Sequence, residues 1–460
     1  MEPSPVLDRR AYRKMAVGVL LALILFLLPT PEGLSDDAMN TLALFVLIIY
    51  FWATEALPLP VTALLAGVGL VVLRVVDHSN DAWEPYAKDT IFFLLGSLIL
   101  ADAVTKTDTD RILAARLLRR IGGSTDRLLW GIVVTSTVAA MIVSSHAIAA
   151  VMLPLVLSIL RATGLHARRN IAAAFVLAIA FGTGIAGLAT PSAGSRNAIV
   201  LGYLDELYGI RISYLEWVMH AMPITLVLMP AVFFILKWTF KMPSEAIDTT
   251  SIPIEHESLN GMQWRTLLVL AGTVVAWILF GEDYGLGTIA IAGAVSLFVL
   301  GILDWVDTRR RIAWGVPLIY GAALTMGNAL QTTGAVSWLA NALLGFEFLH
   351  TEAVLLFGTL ALAAIVTNIM SDGGTAAVLA PVTLSLAALI GFPVADMGLI
   401  TAMGAAFSFI MVIGTPPNVI CYSSGLFTSR DLARAGIPLT VVCVVVAGLA
   451  AKFYWPLLPS

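Results

Sequence analysis

Long apolar segments, each close to the length of one membrane crossing, alternate with short polar turns along most of the chain. A helix rising 1.5 Å per residue needs ~20 apolar residues to cross a bilayer, and fewer where protein covers its ends. Such segments run near residues 15–29, 39–56, 60–75, 128–160, 168–189, 219–239, 264–280, 285–303, 353–389, 397–413 and 434–455. They predict about eleven spans. All read as helices, because a membrane barrel would instead show alternating segments of about ten residues. The polar stretch Lys241–Asn260 reads as a linker between two halves.

Two stretches depart from simple spans. Residues 89–120 turn polar at Asp102 and Thr105-Lys106-Thr107-Asp108, and residues 315–345 at Gly327-Asn328 and Gln331-Thr332-Thr333-Gly334. Each has only about ten to fifteen apolar residues before its turn, the length of a half-helix in a re-entrant hairpin. Overlaying the two halves exposes an internal repeat. Asp102-Ala103-Val104 matches Asn328-Ala329-Leu330 at an offset of 226. The run from Ser144 to Pro154 matches Ser371 to Pro381 at 227, and Asn197-Ala198-Ile199 matches Asn418-Val419-Ile420 at 221. Three matches in one order at nearly constant offset indicate a duplicated unit. Inverted repeats are the usual plan for secondary transporters with broken helices, and inversion is the expectation here. Arg309, Arg310 and Arg311 cut against it, because positive-inside would place the start of the second hairpin in the cytoplasm.

Composition narrows the class. Hydrophobic residues make up 59% before the 37 glycines are counted, against about 45–50% with glycine included in soluble proteins. Charged residues are 12%, half the usual ~25%. A soluble fold must still face water with much of its exterior, so a soluble enzyme, a disordered chain and a nucleic-acid binder are excluded. The net charge of −4 selects no partner, and Cys421 and Cys443 lack a metal or redox spacing. Arg9, Arg10, Arg13 and Lys14 precede the first apolar stretch, and Pro29-Thr30-Pro31-Glu32 offers no small-residue cleavage site. The stretch reads as a retained first span with its basic end in the cytoplasm of a multi-pass cell-membrane protein.

The segments 128–160 and 353–389 are too long for one straight span, and small polar residues interrupt each. They read as broken helices. A break exposes N–H groups that suit an anion and carbonyls that suit Na⁺. Ser144, Ser145, Ser371 and Asp372 add hard oxygen ligands; the plainer alternative is that these small residues permit close helix packing. The turns Thr190 to Asn197 and Gly414-Thr415-Pro416-Pro417-Asn418 cannot be continuous helix. Their carbonyls and Asn amides are available to a cation or a substrate, unless they are ordinary surface loops.

Nearly the whole chain resembles the divalent anion/sodium symporters, which carry di- and tricarboxylates or sulfate. Thr54-Glu55-Ala56-Leu57-Pro58-Leu59-Pro60-Val61-Thr62 is similar to that family's early-helix signature, and Gly414 to Asn418 to its second-repeat loop. The resemblance implies a scaffold plus a moving transport domain, usually as a homodimer, with paired Ser-Asn-Thr motifs holding substrate carboxylates and nearby oxygens holding Na⁺. Here those motifs stand as Ser144-Ser145-His146 and Ser371-Asp372-Gly373, and Ser195-Arg196-Asn197 replaces a Pro-Pro-Asn. His146, Arg196 and Asp372 thus bring ionisable groups to membrane depth, where such groups default to function. Arg196 could hold an anionic group or stand in for one Na⁺. Asp372 could repel anions, strengthen a cation site or pair with Arg196 or His146. His146 could be a proton-linked switch or a neutral donor. All three could also form one mutually paired structural cluster.

Lesser candidates are Asp102 and Asn328 for lining the site. His166, Arg168 and Arg169 read as loop charges, Glu282, Asp283 and Asp304 as helix-end charges, and Trp52, Trp277 and Trp455 as packing anchors. The expectation is therefore an all-helical, inverted-repeat secondary transporter working by alternating access, with no enzymatic constellation and no cofactor. Its divisions are residues 1–88 and 219–310 as scaffold, and 89–218 and 311–460 as the transport-domain repeats. Expected substrate contacts are Ser144, Ser145, His146, Arg196, Asn197, Ser371, Asp372, Gly373, Thr415, Pro416 and Asn418. Na⁺ is the expected coupling ion, with Ser144, Ser145, Ser371, Asp372, Gly414 and Asn418 as candidate ligands. H⁺ coupling through His146 and Asp372, or cation-independent exchange, is the alternative, and a channel is the alternative class.

Overall fold

The computed structural model describes residues 9–119, 123–142, 144–247, 259–344 and 351–458. Among them no strand occurs, and the chain is built from helices alone. The central part of the expected linker, 248–258, lies outside the described residues. In the first half the helices are α1 (Arg9–Leu27), α2 (Asp36–Thr54), α3 (Leu59–Val72), α4 (Ser79–Trp83), α5 (Asp89–Lys106), α6 (Thr109–Arg119), α7 (Thr125–Ile142), α8 (Ser145–Ala162), α9 (Arg169–Ala186), α10 (Ser195–Tyr208) and α11 (Tyr214–Thr239). The second half has α12 (Gly261–Tyr284), α13 (Leu286–Val299), α14 (Trp305–Arg311), α15 (Gly315–Thr332), α16 (Ala335–Leu344), α17 (Thr359–Ile369), α18 (Asp372–Ile390), α19 (Val394–Ala405), α20 (Pro416–Tyr422) and α21 (Ser429–Leu449). Among the described residues seven helices are long and apolar enough to cross a membrane, and shorter apolar ones accompany them. Leu20, Leu23, Leu226, Phe234, Leu268 and Val441 stay exposed on outer helices, as lipid-facing positions require.

Contacts at helix ends fix the directions. Thr125, opening α7, donates its Oγ1 to the Pro243 carbonyl at 2.6 Å and its N–H to Glu245 O at 3.0 Å. Arg168, just before α9, pairs with the Glu245 carboxylate. Helices α7 and α9 therefore start at one face. At their far ends Thr137 Oγ1 donates to Gly182 O (3.1 Å) and Ser145 Oγ to Thr183 O (3.0 Å). Helix α8 then returns and, through a short turn, feeds α9 at the starting face. So α7 and α8 form a helical hairpin whose tip lies beside the end of α9.

The second half repeats this. Thr367 Oγ1 donates to Ala405 O (2.7 Å) and Asn368 Nδ2 to Phe407 O (3.2 Å), placing the tip between α17 and α18 beside the end of α19. The start of the α17 segment, the end of α18 and the start of α19 meet around Glu352, Ile390 and Asp396. Both return helices stop at a glycine in the left-handed region, Gly164 (φ +70°) and Gly391 (φ +74°), 227 positions apart.

The two units run in opposite directions. Helix α9 starts beside Glu245, at the end of the 26-residue α11. Helix α19 starts beside Lys452 and Pro456, near Trp455, whose Nε1 donates to His220 O (3.2 Å) near the start of α11. His220 and the end of α11 at Thr239 are about 28 Å apart at 1.5 Å per residue. Arg168, Arg169 and Lys237 make the Glu245 face basic.

Sequence pattern misplaced the hairpins. Segments 89–106 and 315–332 are uninterrupted 18-residue helices, and most of their polar residues lie in the last turns of the helices, not at a hairpin turn. The stretches read as broken helices, 128–160 and 353–389, are instead the hairpins. Hydropathy cannot separate two collinear half-helices from two antiparallel ones, since both bury the same apolar residues. The interrupted helices are α9–α10 and α19–α20. Helix α15 runs from Gly315, packed at Pro60, to Thr333, whose carbonyl accepts from Ser35 Oγ (3.4 Å) at the start of α2. It thus carries the chain to the far face before the second hairpin begins, and the Arg309–Arg311 objection to inversion disappears.

Helix α5 packs along α13, and α15 lies between α3 on one side and α10 and α18 on the other. Asp89 accepts from Gly287 N (2.9 Å) and Thr288 N (3.2 Å), capping α13 from another helix. Asp304 caps α14 through Asp307 N (2.9 Å) and takes Lys106 Nζ (2.9 Å). These donors hold its carboxyl down at about 2.

Candidate functional site

Two interrupted helices meet two hairpin tips at the centre of the molecule. Each interruption is closed by one asparagine. Asn197 donates Nδ2 to Gly187 O (2.8 Å) and Thr190 O (2.9 Å). Asn418 donates Nδ2 to Ser408 O (2.9 Å) and Met411 O (3.0 Å). Both side chains are buried, where unpaired carbonyls would be costly. Asn368, absent from the sequence-based candidates, shapes the second loop further. Its Oδ1 accepts from Ile410 N (2.8 Å) and Met411 N (3.1 Å), and its Nδ2 donates to Ala364 O (2.7 Å). A lone amide in the apolar run 359–369 was the available signal.

Arg196 sits in the first turn of α10 with its side chain 6% exposed. Its guanidinium folds back over the loop. A Cβ on Gly187 would lie 2.3 Å from Nη2, and one on Gly194 2.8 Å from Nη1. Nη1 donates to Asp372 Oδ2 at 2.6 Å, while Nε and Nη2 are buried without an acceptor. Asp372 opens α18, and its Oδ1 accepts from Gly373 N (2.7 Å). Ser371 Oγ caps the same helix by accepting from Gly374 N (3.2 Å). Gly373 is buried against Ser195: a Cβ there would lie 3.1 Å from Ser195 Oγ.

The first tip is built differently. Ser144 makes no side-chain cap to α8; its Oγ lies 3.3 Å from His146 Nε2. Ser145 is tied to the end of α9, His146 is exposed, and the Asp372 carboxylate is within charge–charge range of the imidazole. Helix α8 packs on α20 of the other unit, and α18 on α10. Each hairpin thus rests on the opposite unit's interrupted helix. The structure joins Arg196 to Asp372 beside Ser371 and Gly373, and sets His146, with Ser144 at 3.3 Å, near the Asp372 carboxylate.

Thr415 and Pro416 reach the accessible surface of the second loop, while Asn197 and Asn418 use their amide donors on backbone carbonyls. Gly414 is buried where a Cβ would lie 1.9 Å from Ser408 Oγ. Asp102 does not reach this centre: Arg311 clamps it through Nε (2.6 Å) and Nη2 (3.0 Å). Trp52, Trp277 and Trp455 are buried, and Trp277 stacks on Tyr214 at 5.1 Å, as packing anchors should. Among the described residues no group of three or more His, Cys, Asp and Glu could hold a metal. A monovalent cation would have to use carbonyls, hydroxyls and the Asp372 carboxylate.

The family described as the sodium:sulfate symporter transmembrane region matches residues 9–460. A membrane protein of Cupriavidus necator is 27% identical, with 98% of this chain and 94% of that one covered. The sodium-dependent dicarboxylate transporter SdcS of Staphylococcus saprophyticus is also 27% identical, covering 96% and 91%. The crystal structure of the YdaH transporter of Alcanivorax borkumensis shares the fold, with a TM-score of 0.59 at 15% identity over 98% of this chain and 99% of that one.

Proposed function

The chain belongs to the sodium:sulfate symporter family, and we propose that it carries small organic anions across the cell membrane by alternating access, coupled to Na⁺. It is a multi-pass membrane transporter and not an enzyme. Carboxylates are the substrate class, in line with relatives named sodium-dependent dicarboxylate transporters. The carrying observation is the exchange of partners between oppositely directed units, α8 on α20 and α18 on α10. A site shared in this way is open to one face or the other as the units tilt.

The moving part comprises the hairpins and interrupted helices, and α1–α3, α5, α12, α13 and α15 form the frame. This shifts the expected boundaries by assigning 89–106 and 315–332 to the frame. The basic face is cytoplasmic, which places the N-terminus inside. The working assembly is a homodimer, checked by crosslinking in native membranes. Substrate sits between Ser144, Ser145 and His146 on one side and the Arg196–Asp372 pair on the other, and Na⁺ on oxygens of the tips and of residues 414–418.

A second reading has one specific support. Arg196 puts a fixed positive charge inside the first loop, whereas the second loop has Pro417 at the equivalent place. That arrangement favours coupling to a single ion, H⁺ coupling through His146, or exchange. Purified protein in proteoliposomes, given labelled carboxylates with Na⁺ and pH gradients imposed separately, tests both. Saturable uptake driven by Na⁺ alone supports the first reading, and uptake driven by pH or by counterflow the second. Linear, unsaturable flux defeats the transporter cycle.

A further inference from the structure

Ser144-Ser145-His146 and Ser371-Asp372-Gly373 are equivalent tips 227 positions apart, yet their helix starts are in opposite states. The start of α18 is already filled. Ser371 Oγ takes Gly374 N (3.2 Å), Asp372 Oδ1 takes Gly373 N (2.7 Å), and Asp372 Oδ2 takes Arg196 Nη1 (2.6 Å). A carboxylate, a helix N-terminus and a guanidinium thus meet as they would around a bound carboxylate ligand. The start of α8 has no side-chain cap, and His146 in its first turn is exposed with Nε2 3.3 Å from Ser144 Oγ. Arg196 supplies the independent sign that this centre handles anions. It is 95% buried, and two of its nitrogens, Nε and Nη2, have no acceptor.

We propose that Asp372, held by Arg196, permanently occupies the place of a second substrate carboxylate, so that this site takes anions bearing one charged group. The inference rests on the anion-transport reading above and narrows its substrate class to monocarboxylates and compounds of like charge. A dianion placed across the two tips would set its second carboxylate against Asp372, a like charge in a partly dehydrated setting. Arg196 already gives Nη1 to Asp372, and its Nη2 is turned back against Gly187. A monoanion meets the open start of α8, Ser144 and His146 with one end. Its other end faces a neutralised ion pair and is free to be an amide, a hydroxyl or an apolar group.

Length-matched pairs test this directly: malonate against malonamate, succinate against succinamate, glutarate against glutaramate. Full-length protein in proteoliposomes is assayed for uptake of each labelled compound, and in detergent for thermal stabilisation by each. The half-amide should be preferred at least about tenfold in the pair whose length fits, equivalent to about 1.4 kcal/mol. Asp372→Asn keeps the shape, removes the built-in carboxylate and frees Arg196, so the preference should shrink or reverse toward the dianion. Asp372→Glu keeps the charge and should keep the preference, provided both variants elute as the wild type does.

Preference of the wild type for dianions overturns the inference and leaves anion transport standing. An unchanged ratio in a folded Asp372→Asn protein also overturns it. If no anion of either charge is carried or stabilises the protein, the transport reading itself fails, and the inference with it.

Discussion

Asn197 and Asn418 make the same two hydrogen bonds, each donating its side-chain amide to the carbonyls ten and seven residues earlier. The equivalence reaches the level of single atoms in two loops that share little sequence besides the asparagine. Each amide closes a non-helical loop inside a protein interior, where the loop's carbonyls have few other partners.

Replacing either asparagine by aspartate should therefore disable the protein. The change removes both donors and sets a carboxylate against two carbonyl oxygens. At about 1 kcal/mol per lost bond, plus the cost of unpaired buried acceptors, each variant should lose roughly 3 kcal/mol or more. Thermal unfolding in detergent would measure it. Equal losses at the two positions are expected, and a neutral Asn418→Asp would refute the closing role.

Much of this was legible in the sequence and some was not. The repeat and the polar centres follow from offsets, and the pairing of Arg196 with Asp372 was among the arrangements expected of ionisable groups at membrane depth. Which segments fold back does not. The tip between α7 and α8 is a serine pair with no strong turn residue, so the apolar run on either side of it reads as one helix. Segments 89–106 and 315–332 carry conspicuous polar residues that sit in the last turns of continuous helices. Pairing partners were equally hidden: Asp102 shares the repeat position of Asn328, yet its partner, Arg311, is 209 residues away.

Arg196→Ala should reduce uptake to background while the protein still folds. Its loss leaves the Asp372 carboxylate without a counter-charge. Breaking a buried pair costs about 3–5 kcal/mol, and because Asp372 keeps 28% of its side-chain surface exposed, the lower end or less is expected. The double variant Arg196→Ala/Asp372→Ala should recover most of the stability and none of the transport. Identical unfolding temperatures for the single and double variants would show that the pair contributes nothing to folding.

The glycines beneath the guanidinium give a separate handle. Gly187 has φ −63° and Gly194 φ −156°, so alanine is allowed at both by its backbone angles. Any effect of Gly187→Ala must come from the new methyl group, placed 2.3 Å from Arg196 Nη2. The guanidinium has to move, and its bond to Asp372 with it. Uptake should fall at least about tenfold, a penalty of about 1.4 kcal/mol, with the protein still monodisperse. Wild-type uptake by Gly187→Ala would mean that the position of the guanidinium is immaterial.

Opposed hairpins make a topological prediction that the two native cysteines leave easy to read, since Cys421 and Cys443 are buried. A cysteine replacing His166 stands where the first hairpin returns to the basic face, and one replacing Pro393 where the second returns to the other; both positions are exposed. A membrane-impermeant thiol reagent applied outside intact cells should modify Pro393→Cys and spare His166→Cys, and inverted vesicles should reverse the result. Both positions reacting from one side would mean that the two units insert in parallel. The shared centre of Arg196 and Asp372 could not then alternate between faces by tilting one unit against the other, because both hairpins would open the same way.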